Sequence, residues 1–346
     1  MKPIVMTRRG LGRAALTALT TLTALTALTL TASGVFAQSN SPVQATDTAW
    51  PNRPIRLLVP FPPGGAADVF ARSVGQPLGD KLKQPVVVEN RPGAGGRIAT
   101  QTAASAAPDG YTLLIVTVGH AVNPSLYGAL PYDTLRDLQP LAMVATVPSM
   151  LVVNPSVPAK SVAELVALAR KQPGRISYAS SGNATTSHVA GAMLAAAAGV
   201  DLLHVPYKGS APALTDLMSG QVSFMIDPIA TAAPHVRSGK LVGLAVSSAE
   251  RSPLAPELPT IAEAGVAGYD FSAWFILLAP SGVPAGIVNR IHSDVAQILR
   301  DEELVKNYAS RGAQPGRGSP AELRIFLENE VRRYAKLVAD TGMKPD

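Results

Sequence analysis

The 346-residue chain contains no cysteine, so it has no disulfide, thiolate nucleophile or thiolate metal ligand to offer. Export is not excluded by that, because a domain of this size buries enough core without covalent staples. Charged residues make up only 16% and aromatic residues 5%, against 47% hydrophobic. That balance belongs to a globular chain rather than a disordered one. No basic run is interleaved with aromatic residues, which argues against nucleic acid as a partner. The phosphate-binding pattern G-x-x-x-x-G-K-[ST] is missing, and the glycines of "GAGGR" (Gly93–Arg97) miss the dinucleotide fingerprint because its third glycine falls on Ile98. The histidines, at positions 120, 188, 204, 235 and 292, show no metal-ligand spacing such as H-E-x-x-H. There is no paired-acid motif and no G-x-S-x-G elbow. No metal and no cofactor are expected.

What is present begins with a leader. Lys2, Arg8, Arg9 and Arg13 precede an Ala/Leu/Thr tract from Ala14 to about Leu30, and Val35-Phe36-Ala37 precede Gln38. This is the layout of a signal peptide over residues 1–37, cleaved near Ala37, and it predicts export. "TRRGLG" resembles a twin-arginine signal, while paired arginines are equally ordinary leader charge. These four cations carry most of the formal net charge of +6; beyond them 26 basic residues face 24 acidic ones. No stretch after the leader approaches the ~18 uncharged apolar residues of a membrane span.

Residues 38–50 read as a polar tail. From Ile55 onward short aliphatic strands alternate with Ala-rich helices, which predicts parallel sheets with right-handed crossovers. Strands are expected at Ile55–Val59, Val86–Glu89 and Tyr111–Thr117, with helices at Ala67–Gly75, bent or ended by Pro77 and Gly79, and at Arg97–Ala106. Leu141–Pro155 holds two apolar runs divided by Pro148, the pattern of a strand leaving one sheet for another. The alternation then resumes to Val246, "WFILLAP" (Trp274–Pro280) adds a strand, and two or three helices close the chain. The last opens with Ser319-Pro320-Ala321-Glu322, an N-cap, a proline and an early acid.

Ligands of such sheets bind beyond the carboxyl ends of the strands, where helix N-termini present free N–H groups to an anion. The loops so placed are Pro60–Asp68, Asn90–Gly96, Val118–Asn123, Ser180–Ser187, Tyr207–Ala211 and Asp227–Thr231. Gly64-Gly65 permits close backbone approach but is equally a turn. Asp68 suits a first helical turn by the dipole argument as well as a ligand contact. Ser181, Thr185, Thr186 and Ser187 offer hydroxyls for a carboxylate or for N-capping. Asp227 before Pro228 suits a ligand amine or hydroxyl, or a turn cap. An exported serine hydrolase acting through Ser181 and His188 is the alternative chemistry. The pattern fits a binder better than an enzyme.

"PNRPIRLLVPFPPGGAADVFAR", "VVVENRPGAGG", "APDGYTLLI", "HVPYKGSAPALTDLMSGQV" and "ELPTIAEAGVAGYDFSAWF" occur in order from Pro51 onward. In these motifs the chain resembles the substrate-binding proteins of tripartite tricarboxylate transporters, the Bug family. The resemblance implies an α/β fold of the two-lobed periplasmic-binding-protein type (Venus flytrap, type II), with a sheet in each lobe and crossing hinge strands. Lobe 1 is expected at residues 51–148 and 268–346, lobe 2 at 149–267. It implies a monomer in the periplasm that captures a small carboxylate for membrane permease subunits or, alternatively, for a sensor. Carried onto this chain, it implies ligand contacts at Phe61, Gly65, Ala66, Asp68, Gly119, His120, Ser181, Thr185 and Asp227. Three positions depart from the family pattern: Ala184 stands where glycine is usual, and His120 and Ile276 where smaller residues are common.

Overall fold

Residues 50–344 are described in the computed structural model of the chain; the leader, its cleavage point and residues 38–49 lie outside the described residues. Short aliphatic runs that end in Gly- or Pro-rich turns form three parallel strands, β1 (Ile55–Val59), β2 (Val86–Asn90) and β3 (Thr112–Val116). β3 is buried along its whole length, as expected of a parallel strand covered on both faces. Helices α1 (Ala66–Leu82), α2 (Arg97–Ala104) and α3 (Gly119–Tyr127) follow these strands in turn. The long strand β4 (Leu138–Val153) leads to a second alternating series: α4 (Val162–Lys171), β5 (Ser177–Ser180), α5 (Thr186–Ala198), β6 (Leu203–Pro206), α6 (Ser210–Met218), β7 (Phe224–Pro228), α7 (Ile229–Arg237) and β8 (Val242–Val246). The chain ends with β9 (Ser272–Pro280), α8 (Ala285–Ile298), α9 (Glu302–Ser310), the two-residue β10 (Gln314–Pro315) and α10 (Pro320–Thr341).

β4 is shared by two sheets. Its first part pairs antiparallel with β9, from Leu138 opposite Pro280 to Pro148 opposite Ser272, in a sheet of order β2-β1-β3-β9-β4. Its last part, Ser149 to Val153, pairs antiparallel with β7 and β8 in a sheet that continues through β5 to β6. Because Ser149 faces Pro228 at the end of β7, β4 enters the second sheet at the carboxyl ends of its parallel strands. It leaves the first sheet just past the carboxyl end of β3. The register therefore turns both sets of carboxyl ends toward the crossing. The return crossing is bonded to the first: the Ser247 hydroxyl accepts from the Ser149 amide (2.8 Å) and donates to the Phe271 carbonyl (2.7 Å), all fully or almost fully buried. This is the α/β, two-sheet architecture with crossing strands that the sequence predicts.

A shared core joins α2, α3, α5 and α10 to both sheets, with Leu323, Leu327, Tyr334 and Leu337 supplied by α10. A second core packs α1, α8 and Tyr308 of α9 on the other face of the first sheet, and a third packs α6 and α7 on the second sheet.

Four details correct the sequence reading. α1 runs through Pro77 to Leu82, because Phe70, Ala71, Val74, Leu78 and Leu82 keep one buried face across the proline. It stops at Lys83, a left-handed residue with φ of 56°, and a Cβ on Gly79 would lie 3.0 Å from the returning Gln84 carbonyl. The segment read as the loop Val118–Asn123 is the start of α3, held by short-range bonds from the His120 amide to Thr117 and the Ala121 amide to Val118. The loops expected at Tyr207–Ala211 and Asp227–Thr231 shrink, since α6 starts at Ser210 and α7 at Ile229. β10 carries too few residues to leave a pattern.

Candidate functional site

Six helices, α1, α2, α3, α5, α6 and α7, begin at the carboxyl ends of parallel strands, and none has a side-chain cap on its first turn. Of the other four, α4, α9 and α10 are capped by Ser161, Asp301 and Ser319, while α8, which follows the antiparallel strand β9, begins at Pro284 without a side-chain cap. The first-turn N–H groups of an α-helix have no partner within the helix. Where neither a side chain nor a backbone carbonyl takes them, they and the helix dipole remain available to an anion; in α3 the His120 and Ala121 amides already bond the Thr117 and Val118 carbonyls, leaving its dipole. Six of the seven uncapped ends follow the carboxyl ends of parallel strands and face the crossing of the two sheets; that of α8 does not, and the three capped ends belong to other connections.

The β1–α1 turn is held from beneath. Asp68 is buried, and its carboxylate accepts from the Gly64 amide (3.0 Å), the Arg72 guanidinium (3.0 Å) and the Asn90 side chain (2.9 Å). Burial alone would raise its pKa, but the Arg72, Gly64 and Asn90 bonds outweigh it and bring the value down to about 2. Asn90 also donates to the Phe61 carbonyl (3.0 Å). Phe61 is half-buried against the core under α1, while Gly65, the N-cap residue, and Ala66 are exposed. Sequence reasoning placed Asn90 at the head of a candidate loop without giving it a role; its place between an apolar strand and the Arg91-Pro92-Gly93 turn was the signal.

On the opposite wall, the Ser181 amide donates to the Ser187 hydroxyl (2.9 Å), and the Thr185 hydroxyl donates to the Gly182 carbonyl (2.6 Å). Ser181 and Thr185 are half-buried. Ala184 adopts the left-handed conformation, φ 58°, which explains why glycine suits this position. The two walls meet here: a Cβ built on Gly119 would lie 3.1 Å from the Ala184 carbonyl oxygen and 3.6 Å from that of Gly95. Asn123, a second loop residue that sequence reasoning gave no role, fixes Gly95 by donating to its carbonyl (3.0 Å).

His120, Asp227 and Ile276 are placed deeper. His120 is buried; desolvation brings its pKa down to about 4, opposed weakly by the Thr134 backbone, which does not reach good hydrogen-bond geometry. Asp227 is fully buried, with its carboxylate accepting from the Ser210 hydroxyl (2.8 Å) and closely from Thr231. Burial raises its pKa to about 6, and the two hydroxyls limit the rise. Ile276 is a fully buried member of the shared core, opposite Val116 and Met143. The structure therefore gathers Gly65, Ala66, Gly119, Ser181 and Thr185 near the crossing, with Phe61 behind them, Asp68 and Asp227 engaged inside the walls, and His120 buried there. No Ser181–His188 pair forms: the Ser181 hydroxyl lies 3.1 Å from that of Ser187, and His188 Nδ1 accepts from the Ala184 amide (3.2 Å). Among the described residues, no group of three or more His, Cys, Asp or Glu side chains is placed to hold a metal.

Two packed sheets joined by crossing strands, with helix N-termini turned to the crossing, define a solute-binding protein of the periplasmic type. The chain belongs to the tripartite tricarboxylate transporter receptor family, whose sequence model matches residues 70–343. It is 39% identical over 320 residues to the protein BugT of Bordetella pertussis, covering 91% of this chain and 98% of BugT. Among solved structures, a Rhodopseudomonas palustris protein with adipate is 38% identical, with a TM-score of 0.78 over 86% of this chain and 100% of that one. MatC from the same organism, with bound malate, is 32% identical, with a TM-score of 0.75 over 83% and 99%.

Proposed function

We propose that this protein captures a small mono- or dicarboxylate between lobes formed by residues 51–148 with 268–346 and by residues 149–267. The observation that carries the reading is the gathering of uncapped helix N-termini at the crossing, against side-chain caps on α4, α9 and α10. Each terminus favours an anion by about 0.3–2 kcal/mol. Several together with hydrogen bonds reach the ~8 kcal/mol of a micromolar complex. One carboxylate is received by the exposed Gly65 and Ala66 backbone, and the loop carrying Ser181 and Thr185 closes over it. Asp68 positions the first turn, and Asp227 ties α6 to α7 through Ser210 and Thr231. Adipate and malate in two relatives support a dicarboxylate. No covalent step is involved. The protein acts in the periplasm after removal of the leader, as a monomer, and hands its ligand to the membrane permease subunits of a tripartite tricarboxylate transporter.

A thermal-shift panel of di- and tricarboxylates, acidic amino acids and aromatic acids on refolded protein from Gln38 onward tests this. A ligand at a hundredfold excess over its Kd adds about 2.7 kcal/mol and raises Tm by several degrees. A rise confined to one acid class, without turnover, is expected. A flat response across the panel contradicts the reading.

A further inference from the structure

We propose that His188 and His204 are positioning residues that set the shape of the ligand-facing β5–α5 loop by gripping its backbone from behind. The inference rests on the reading of that loop as a wall of the ligand site. The two imidazoles stack face to face, with centroids 3.8 Å apart and planes within 5°. Tyr178 stacks on His204 at 4.9 Å, and Phe224 follows Tyr178 at 5.8 Å. The column stands against α5 only because residue 191 is glycine: a Cβ there would lie 2.3 Å from the Tyr178 ring.

Each imidazole reaches a different point of the loop. His188 Nδ1 accepts from the Ala184 amide at 3.2 Å. His204 Nε2 lies 2.6 Å from the Ser180 hydroxyl, and that oxygen in turn meets both the amide (3.2 Å) and the carbonyl (3.1 Å) of Gly182. The rings thus fix the backbone at Gly182 and at Ala184, the one strained non-glycine position in the loop. Ala184 is also the residue whose carbonyl meets Gly119 on the opposite wall. A shift of the His188 ring therefore moves an atom of the crossing directly.

The chemistry follows from the geometry. A ring nitrogen that accepts from an amide carries no proton, so His188 holds its single proton on Nε2 and is neutral. Burial, with the neighbouring His204 adding to it, pushes the His188 pKa down to about 3, which keeps the ring neutral across the physiological range. In this tautomer Nε2, the nitrogen a hydrolytic triad uses as its base, carries the proton, and the unprotonated Nδ1 is occupied by the backbone. This accounts for a buried histidine beside a serine-rich loop in a solute-binding protein.

The test separates ring packing from hydrogen bonding. His188→Phe and His204→Phe keep a flat ring in the stack and remove the nitrogens, whereas His188→Gln and His204→Gln keep an acceptor and remove the ring. Amide hydrogen exchange is followed by NMR in ligand-free protein. His188→Phe is expected to speed exchange of the Ala184 amide by about fivefold to tenfold, the worth of one hydrogen bond, and His188→Gln to leave it within about twofold of wild type. His204→Phe is expected to act in the same way on the Gly182 amide, with α1 and the first sheet unchanged. Equal protection of Ala184 in His188→Phe overturns the proposal, as does faster exchange in the Gln variant than in the Phe variant. Should the Phe variants not fold, the wild-type tautomer decides: a proton on His188 Nε2 supports the grip, and a proton on Nδ1 overturns it. Adipate calorimetry runs in parallel. If wild type binds adipate, His188→Phe is expected to weaken it about tenfold; if wild type binds no acid of the panel, the functional reading fails while the exchange result still judges the grip.

Discussion

Gly119→Ala separates ligand closure from folding, because the structure predicts opposite effects on the two. Gly119 is the first residue of α3, and its backbone has no left-handed requirement, so alanine is accepted without strain. On its own helix the change is neutral or mildly stabilising, by up to about 0.4–1 kcal/mol through the unfolded chain. Across the crossing the added methyl would sit 3.1 Å from the Ala184 carbonyl oxygen, tighter than ordinary contact, with Gly95 at 3.6 Å behind it. Ala184 is held by His188 and cannot yield locally, so the opposite wall must move back by a few tenths of an ångström. Overpacking of this kind costs about 1–3 kcal/mol. In the ligand-free protein the walls relieve it by parting; in the complex they cannot. Titration calorimetry should therefore show a Kd weaker by about 5- to 150-fold. Thermal unfolding without ligand should show an unchanged or slightly higher Tm. An unaltered Kd would mean that residues 119 and 184 do not meet around the ligand, and the closure account would fail.

Three further outcomes follow from the same structure. His120 and His188 have pKa values lowered from 6.5 to about 4 and about 3, so the unfolded chain binds more protons below pH 6.5, and stability falls on acidification. Asp227, raised from 3.8 to about 6, opposes this, since its contribution is full below 3.8 and is lost as pH rises to 6. The net loss between pH 6 and 4 is roughly 1.4 kcal/mol per unit, and Asp227→Asn should about double that slope in urea titrations. Ser247→Ala strands the buried Ser149 amide and Phe271 carbonyl at the strand crossing and should cost about 2–4 kcal/mol; a loss under 1 kcal/mol would show that the crossing is held otherwise. Ala184→Gly relieves a left-handed alanine worth about 1–2 kcal/mol, offset in part by glycine's chain entropy, and should raise Tm slightly; a fall would mean that the buried methyl matters more than the strain.

Legibility in the sequence followed the range of the interaction. The last helix was readable to its cap, because Ser319, Pro320 and Glu322 form a local capping box. The switch of β4 between sheets was visible as apolar runs around Pro148. α3 was hidden because it lacks a capping residue and carries Pro124; its first amides are satisfied instead by the Thr117 and Val118 carbonyls. The roles of Asp68 and Asp227 were undecidable from neighbours alone: Asn90 and Ser210, which help fix their carboxylates, lie 22 and 17 residues away. The His188–His204 stack joins an α-helix to an edge strand, and no local periodicity encodes such a contact.

The central claim is that an acid ligand lodges against uncapped helix starts on both walls of the crossing. A titration of labelled protein with the acid selected by the thermal panel, followed by amide chemical shifts, tests it most directly. The account predicts the largest shifts at Gly65 and Ala66 on one wall and at Thr186 and Ser187 on the other, with the capped starts of α4, α9 and α10 unmoved. Saturable binding that leaves Gly65 and Ala66 unshifted would contradict it.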